Sequence, residues 1–112
     1  MSVRHEVRLW AAQRATAMVL AVCVTVHLVT IIMAVRGGLT TAEILGRTRG
    51  SVVFAVFYGV FVLAAAIHAG SGLRNVASEW LGWRGFGAEL AVTAFAFLLT
   101  VLGLRGVWVV YA

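Results

Sequence analysis

Polar and apolar positions divide this chain into long blocks rather than alternating along it. From Ala15 to Val35 no residue carries a formal charge, and none does from Gly50 to Leu73. A third apolar block runs from Phe86 to Ala112, broken only by Glu89 near its start and Arg105 near its end. A hydrocarbon core about 30 Å thick requires roughly 20 helical residues, so each block is long enough to span one. Spans are expected at about 12–35, 52–74 and 86–110. A membrane β-barrel needs short strands alternating every second residue, and these blocks are continuously apolar. The pattern predicts an all-α integral membrane bundle of three helices in a single domain. The small residues Gly59, Gly70, Ser71, Gly72, Gly103 and Gly106 suit close helix approach in lipid.

Three shorter segments join the blocks. Met1 to Trp10 is basic and polar. Arg36 to Arg49 is a loop in which Thr40-Thr41-Ala42-Glu43 has the spacing of a helix cap. Arg74 to Gly85 connects the second and third spans, with Glu79 and Trp80 in that connection. The first block is too long for a signal peptide and leads to no small-residue cleavage site.

Composition sharpens the class. Hydrophobic residues make up 62% of the 112-residue chain and charged residues only 12%, where a soluble domain carries about 25%. Mean hydropathy is +1.02. A soluble globular enzyme is excluded. The net charge of +5 does not indicate a nucleic-acid partner, because such a binder needs a water-soluble body behind its basic face. The single cysteine, Cys23, excludes a disulfide framework or a multi-cysteine metal site. With three spans, Arg4, Arg8, Arg14, Arg74 and Arg84 fall on the N-terminal side, against Arg36, Arg47, Arg49 and Arg105 on the other. That small excess favours a cytoplasmic N-terminus in the inner (cytoplasmic) membrane. Trp10, Trp80 and Trp83 would mark one interface, Trp108 and Tyr111 the other.

Polar side chains at membrane depth are costly and therefore candidates for function. His27 lies in the middle of the first block and His68 near the end of the second. A neutral imidazole ligates haem iron through one nitrogen while the other donates a hydrogen bond; a simple hydrogen bond to a neighbouring backbone or Ser/Thr group is the competing explanation. Around His68, Ala64, Ala65, Ser71 and Gly72 are small residues on the same helix face, which suits a flat macrocycle and equally suits helix packing. By helical rise His27 sits about 18–20 Å from the N-terminal side and His68 about 8–10 Å from it. The two cannot readily share one iron, so each would need a histidine from another chain. Arg14 and Arg74 stand where they can neutralise haem propionates. Glu79 beside Trp80 could orient or protonate a quinone head group. Snorkelling arginines and belt tryptophans are the alternative reading of these boundary residues.

Ile67-His68-Ala69-Gly70-Ser71-Gly72-Leu73-Arg74, followed by Glu79, resembles the second-helix signature of complex II membrane anchors, the cytochrome b subunits of succinate dehydrogenases and fumarate reductases. Gln13-Arg14-Ala15-Thr16-Ala17 resembles the start of the first span in the small hydrophobic anchor. The resemblance extends over nearly the whole chain. It implies an axial haem b role for His68, a first-helix ligand role for His27 as in two-haem members, an arginine for propionates and quinone at Arg14, and a quinone-pocket position for Glu79 and Trp80. Glu79 and Trp80 replace an Asp–Tyr pair, Asn75 stands where many members have a second His, and Trp10 and Gln13 replace a Ser and a His of the larger anchor. Trp80 donates a hydrogen bond but cannot transfer a proton as a phenol does.

The expected function is therefore an electron-transfer anchor, a non-catalytic subunit of a succinate:quinone oxidoreductase. It would share one or two haem b groups with a second three-helix chain (a sister subunit or another copy), dock an iron–sulfur subunit and a flavoprotein, and help form a quinone site. A haem-free structural anchor, or a small transporter whose histidines pack or bind protons, is the alternative.

Overall fold

The computed structural model describes residues 2–112 and contains four helices: α1 (Val3–Gly37), α2 (Thr41–Thr48), α3 (Val52–Trp80) and α4 (Phe86–Tyr111). α1, α3 and α4 are each long and apolar enough to cross a membrane. The bundle measures 49 × 23 × 23 Å, the proportions of a membrane-spanning rod. α3 is the central helix, packed on α1 along one side and on α4 along another.

The helices overrun the apolar blocks. α1 starts at Val3, where the Ser2 side chain accepts a hydrogen bond from the His5 N–H at 3.2 Å. No Pro or Gly interrupts the following residues, so helix continues through the polar N-terminus. α3 likewise runs past Arg74 to Trp80, which corrects the placement of Glu79 and Trp80: they form the last turn of a helix, not part of a loop. The connection to α4 is reduced to residues 81–85. The Trp83 N–H bonds the Ala77 carbonyl at 2.8 Å, and Arg84 Nη2 reaches the Ser78 carbonyl at 3.3 Å. Carbonyls that a helix end leaves open are thereby satisfied.

The opposite rim is tied by α2. Thr40 and Glu43 form the reciprocal capping box that their spacing predicts. Arg47 Nη2 donates to the Gly38 carbonyl at 2.6 Å, Thr48 Oγ1 to the Val110 carbonyl at 2.8 Å, and the Gly50 N–H to the Tyr111 carbonyl at 2.8 Å. These bonds fix the α1–α3 connection against the end of α4.

Close packing along α3 depends on small residues. The backbone of Gly103 on α4 lies against Val62, leaving less than 3 Å between an added Cβ and the valine methyls, and Gly70 faces the Ala96 methyl. Without a hydrophobic driving force between helices in lipid, such contacts are a main source of association. The exposed surface is rich in Val, Leu, Ile and Phe on all three long helices, as a bundle facing hydrocarbon requires.

Candidate functional site at the α1–α3 seam

α1 and α3 run antiparallel, and their register brings each histidine to a hydroxyl on its neighbour. On α1, Thr16 is buried; its hydroxyl bonds the Ala12 carbonyl at 2.7 Å and the Gln13 carbonyl at 3.2 Å. The same oxygen stands 3.3 Å from His68 Nδ1 on α3. Small side chains around His68 allow this approach, with Ala64, Ala66 and Gly70 all buried. Gly72 has Gln13 across from it, the amide nitrogen 3.5 Å from where a Cβ would stand. The face that Gly72 leaves open is thus occupied by α1.

Deeper along the seam, His27 Nδ1 is 2.8 Å from Tyr58 Oη, and Tyr58 Oη is 3.1 Å from Thr30 Oγ1. Thr30 Oγ1 in turn donates to the His27 carbonyl at 2.7 Å. Aromatic rings flank this group: His27 meets Phe61 edge-on at 5.7 Å between centroids, and Tyr58 packs against Phe54 and Phe57. His68 shares the level of Thr16, which lies ~16 Å along α1 from His27 at 1.5 Å per residue. The two imidazoles therefore occupy separate depths. Among the described residues no three His, Cys, Asp or Glu side chains gather as a metal cluster, and each level holds one imidazole.

Above His68 the seam opens into a cleft of about 610 Å³ between α1, α3 and α4. Glu6, Trp10 and Gln13 line it from α1; Ser71, Arg74, Asn75, Ser78 and Glu79 line it from α3; Trp83, Arg84, Ala88 and Glu89 close it. Gln13 and Ser71 lie one turn from Thr16 and His68 on the same helices, so the floor of the cleft adjoins the imidazole, about 5 Å away along the axis. Arg74 donates through Nε to Glu89 Oε1 in an ion pair. Gln13 Oε1 is buried without a hydrogen-bond partner among the described residues, an open acceptor at the cleft wall.

Of the residues expected to form a quinone site, the structure brings Glu79 to the cleft together with Arg74 and Ser71. Arg14 and Trp80 do not line it. Arg14 is exposed, with its guanidinium 5.3 Å over the Trp10 ring, and Trp80 is 81% exposed on the outer face of α3. Helical phase is the reason: Gln13 and Thr16 share the face toward α3, and Arg14 is turned about 100° from Gln13. Gln13, Trp83 and Glu89 line the cleft although the sequence did not single them out as site residues. Of the three, Glu89 carried a signal by residue type, as a charge inside an apolar block.

Helices of membrane length, with charged groups at the two rims and apolar side chains turned outward, define an integral membrane helical bundle. The chain belongs to the succinate dehydrogenase/fumarate reductase transmembrane subunit family, whose model matches residues 1–108. A succinate dehydrogenase hydrophobic membrane anchor subunit from Archaeoglobus fulgidus is 33% identical over 91 residues, covering 80% of this chain and 77% of that protein. No solved structure matches the chain. The protein is thus a membrane anchor of a succinate dehydrogenase-type enzyme complex and associates with other subunits of that complex.

Proposed function

We propose that this chain is the small hydrophobic anchor of a succinate:quinone oxidoreductase, holding haem b with a partner three-helix chain and forming part of the quinone site. The observation that carries this reading is the juxtaposition of His68 with the cleft: the imidazole lies one helical turn from the Ser71 and Gln13 that line it.

The donor set fits haem. A neutral imidazole with Nδ1 engaged by Thr16 keeps Nε2 for iron, and Arg74 supplies a cation above it for propionates. His27 offers a second imidazole at the other depth. Each level needs one further histidine, which the partner chain supplies. Held there, haem would supply single-electron transfer. The chain's own groups do the rest. Gln13 presents an amide to a quinone head group in the cleft. Glu79 holds a carboxyl at the cleft wall, where it can exchange a proton with solvent at the rim. Trp83 supplies an aromatic wall.

The N-terminal rim, rich in Arg4, Arg8, Arg84 and Glu6, is the face that docks the iron–sulfur and flavoprotein subunits. That docking would put the rim on the cytoplasmic side of the membrane. The test is isolation of the intact complex, with haem counted as the pyridine haemochrome and succinate-driven quinone reduction measured. A quinone-active complex without haem would identify a structural anchor in which both histidines serve only helix packing.

A further inference from the structure

Only one set of hydrogen-bond directions supplies a proton to every contact around the two histidines. A hydroxyl has a single proton, and a carbonyl only accepts. The Thr30 proton goes to the His27 carbonyl, 2.7 Å away. Thr30 Oγ1 is then the acceptor for the Tyr58 hydroxyl at 3.1 Å. With its proton so placed, Tyr58 Oη accepts at 2.8 Å from His27 Nδ1, which donates in the Nδ1–H tautomer. The same logic holds at the other level. The Thr16 proton is directed to the carbonyls of Ala12 and Gln13, so Oγ1 accepts from His68 Nδ1 at 3.3 Å.

We propose that Thr16 and the Tyr58–Thr30 pair are positioning residues that fix His68 and His27 in the same tautomer, Nδ1–H, each with a lone pair on Nε2. Two unrelated hydroxyl arrangements reach this one outcome: a threonine back-bonded to its own helix, and a tyrosine–threonine circuit closed on the histidine's own carbonyl. A histidine that only packs can use either tautomer, according to its partner. A histidine that donates Nε2 electrons to a Lewis acid needs the Nδ1–H form, and the bond at its other nitrogen also sets its orientation and basicity. Use of these lone pairs by iron rests on the function proposed above; the tautomers do not depend on it.

The full chain, labelled with [15N]histidine and placed in lipid bilayers without haem at alkaline pH, tests this by NMR of the ring nitrogens. The expected result is a proton on Nδ1 of both His27 and His68. Thr16→Val moves the His68 tautomer ratio toward Nε2–H by about tenfold, the factor carried by one hydrogen bond of ordinary strength, and Thr16→Ser retains the wild-type ratio. Tyr58→Phe does the same at His27 and leaves His68 unchanged. Nε2–H as the main form in the wild type, or ratios unmoved in variants of unchanged helix content, would overturn the proposal.

In the assembled complex, Thr16→Val leaves the coordinating imidazole less basic, so the reduction potential of the His68-dependent haem rises, and Thr16→Ser returns it. An unmoved potential overturns the positioning role of Thr16. Absence of haem from the wild-type complex would instead defeat the functional reading and leave the tautomer measurement to stand or fall by itself.

Discussion

Arg74 on α3 and Glu89 on α4 face each other across the wall of the polar cleft and form the one ion pair seen among the described residues. Their side chains are 20% and 50% exposed, so water still reaches the pair and its contribution to stability is about 1 kcal/mol or less. Its larger consequence is positional, since it holds a cation above His68 and ties α4 to the cleft.

Glu89→Gln is therefore expected to change the melting temperature of the purified complex little while lowering succinate-driven quinone reduction. Succinate oxidation by a soluble dye acceptor, which bypasses the membrane, should stay at the wild-type level. Equal loss in both assays would show that the pair serves assembly rather than the cleft.

Val62 and Gly103 set the distance between α3 and α4. Gly103→Ala forces its methyl into the Val62 side chain, an overpacking cost of about 1–3 kcal/mol. Thermal unfolding of the detergent-solubilised complex should record the loss. Val62→Ala in the same chain should recover much of it, the coupling expected for two residues in contact. Gly59→Ala, with nothing within 4 Å, is the comparison without a clash and should show no loss.

Two glycines at the far rim should respond in opposite directions. Gly38 has φ +119, and a Cβ there would strike the Glu43 carboxylate, so Gly38→Ala costs about 1–3 kcal/mol of local strain. Gly46 lies within α2 with open space around it, and Gly46→Ala stabilises that helix by up to about 1 kcal/mol. Hydrogen exchange of the α2 amides reads both effects.

Glu43 also gives the rim a pH dependence. The Thr40 backbone N–H and then the Thr40 hydroxyl hold its carboxyl below the ordinary value of 4.5, opposed by desolvation and helped least by the Arg47 charge. A lowered folded-state value means that the capping bond is fully present above 4.5 and is lost as pH falls through that lowered value. Side-chain NMR of Glu43 should show titration below 4.5, and Thr40→Ala should move it upward.

The three spans and the α2 cap were legible in the sequence because each rests on a local signal: continuous apolarity in one case, Thr40 and Glu43 three residues apart in the other. The extra turns at Val3–Trp10 and Arg74–Trp80 were not. Hydropathy falls at the lipid boundary, whereas backbone hydrogen bonding continues until a cap or a glycine ends it. His27 and His68 stood out because few polar groups lie at membrane depth. Their partners did not, since Thr16 and Tyr58 are set by the antiparallel register of α1 and α3. The cleft shows the same division. Glu79, singled out in the sequence, lines it, whereas Gln13 lines it in place of Arg14 through helical phase alone.

We propose that His68 holds an iron next to the polar cleft. The most direct measurement compares the wild-type complex with a His68→Ala complex of equal subunit content, using the pyridine haemochrome and low-temperature EPR. The account predicts a low-spin haem signal in the wild type, and its loss or conversion to high spin in the variant. A full low-spin signal retained in His68→Ala would contradict it.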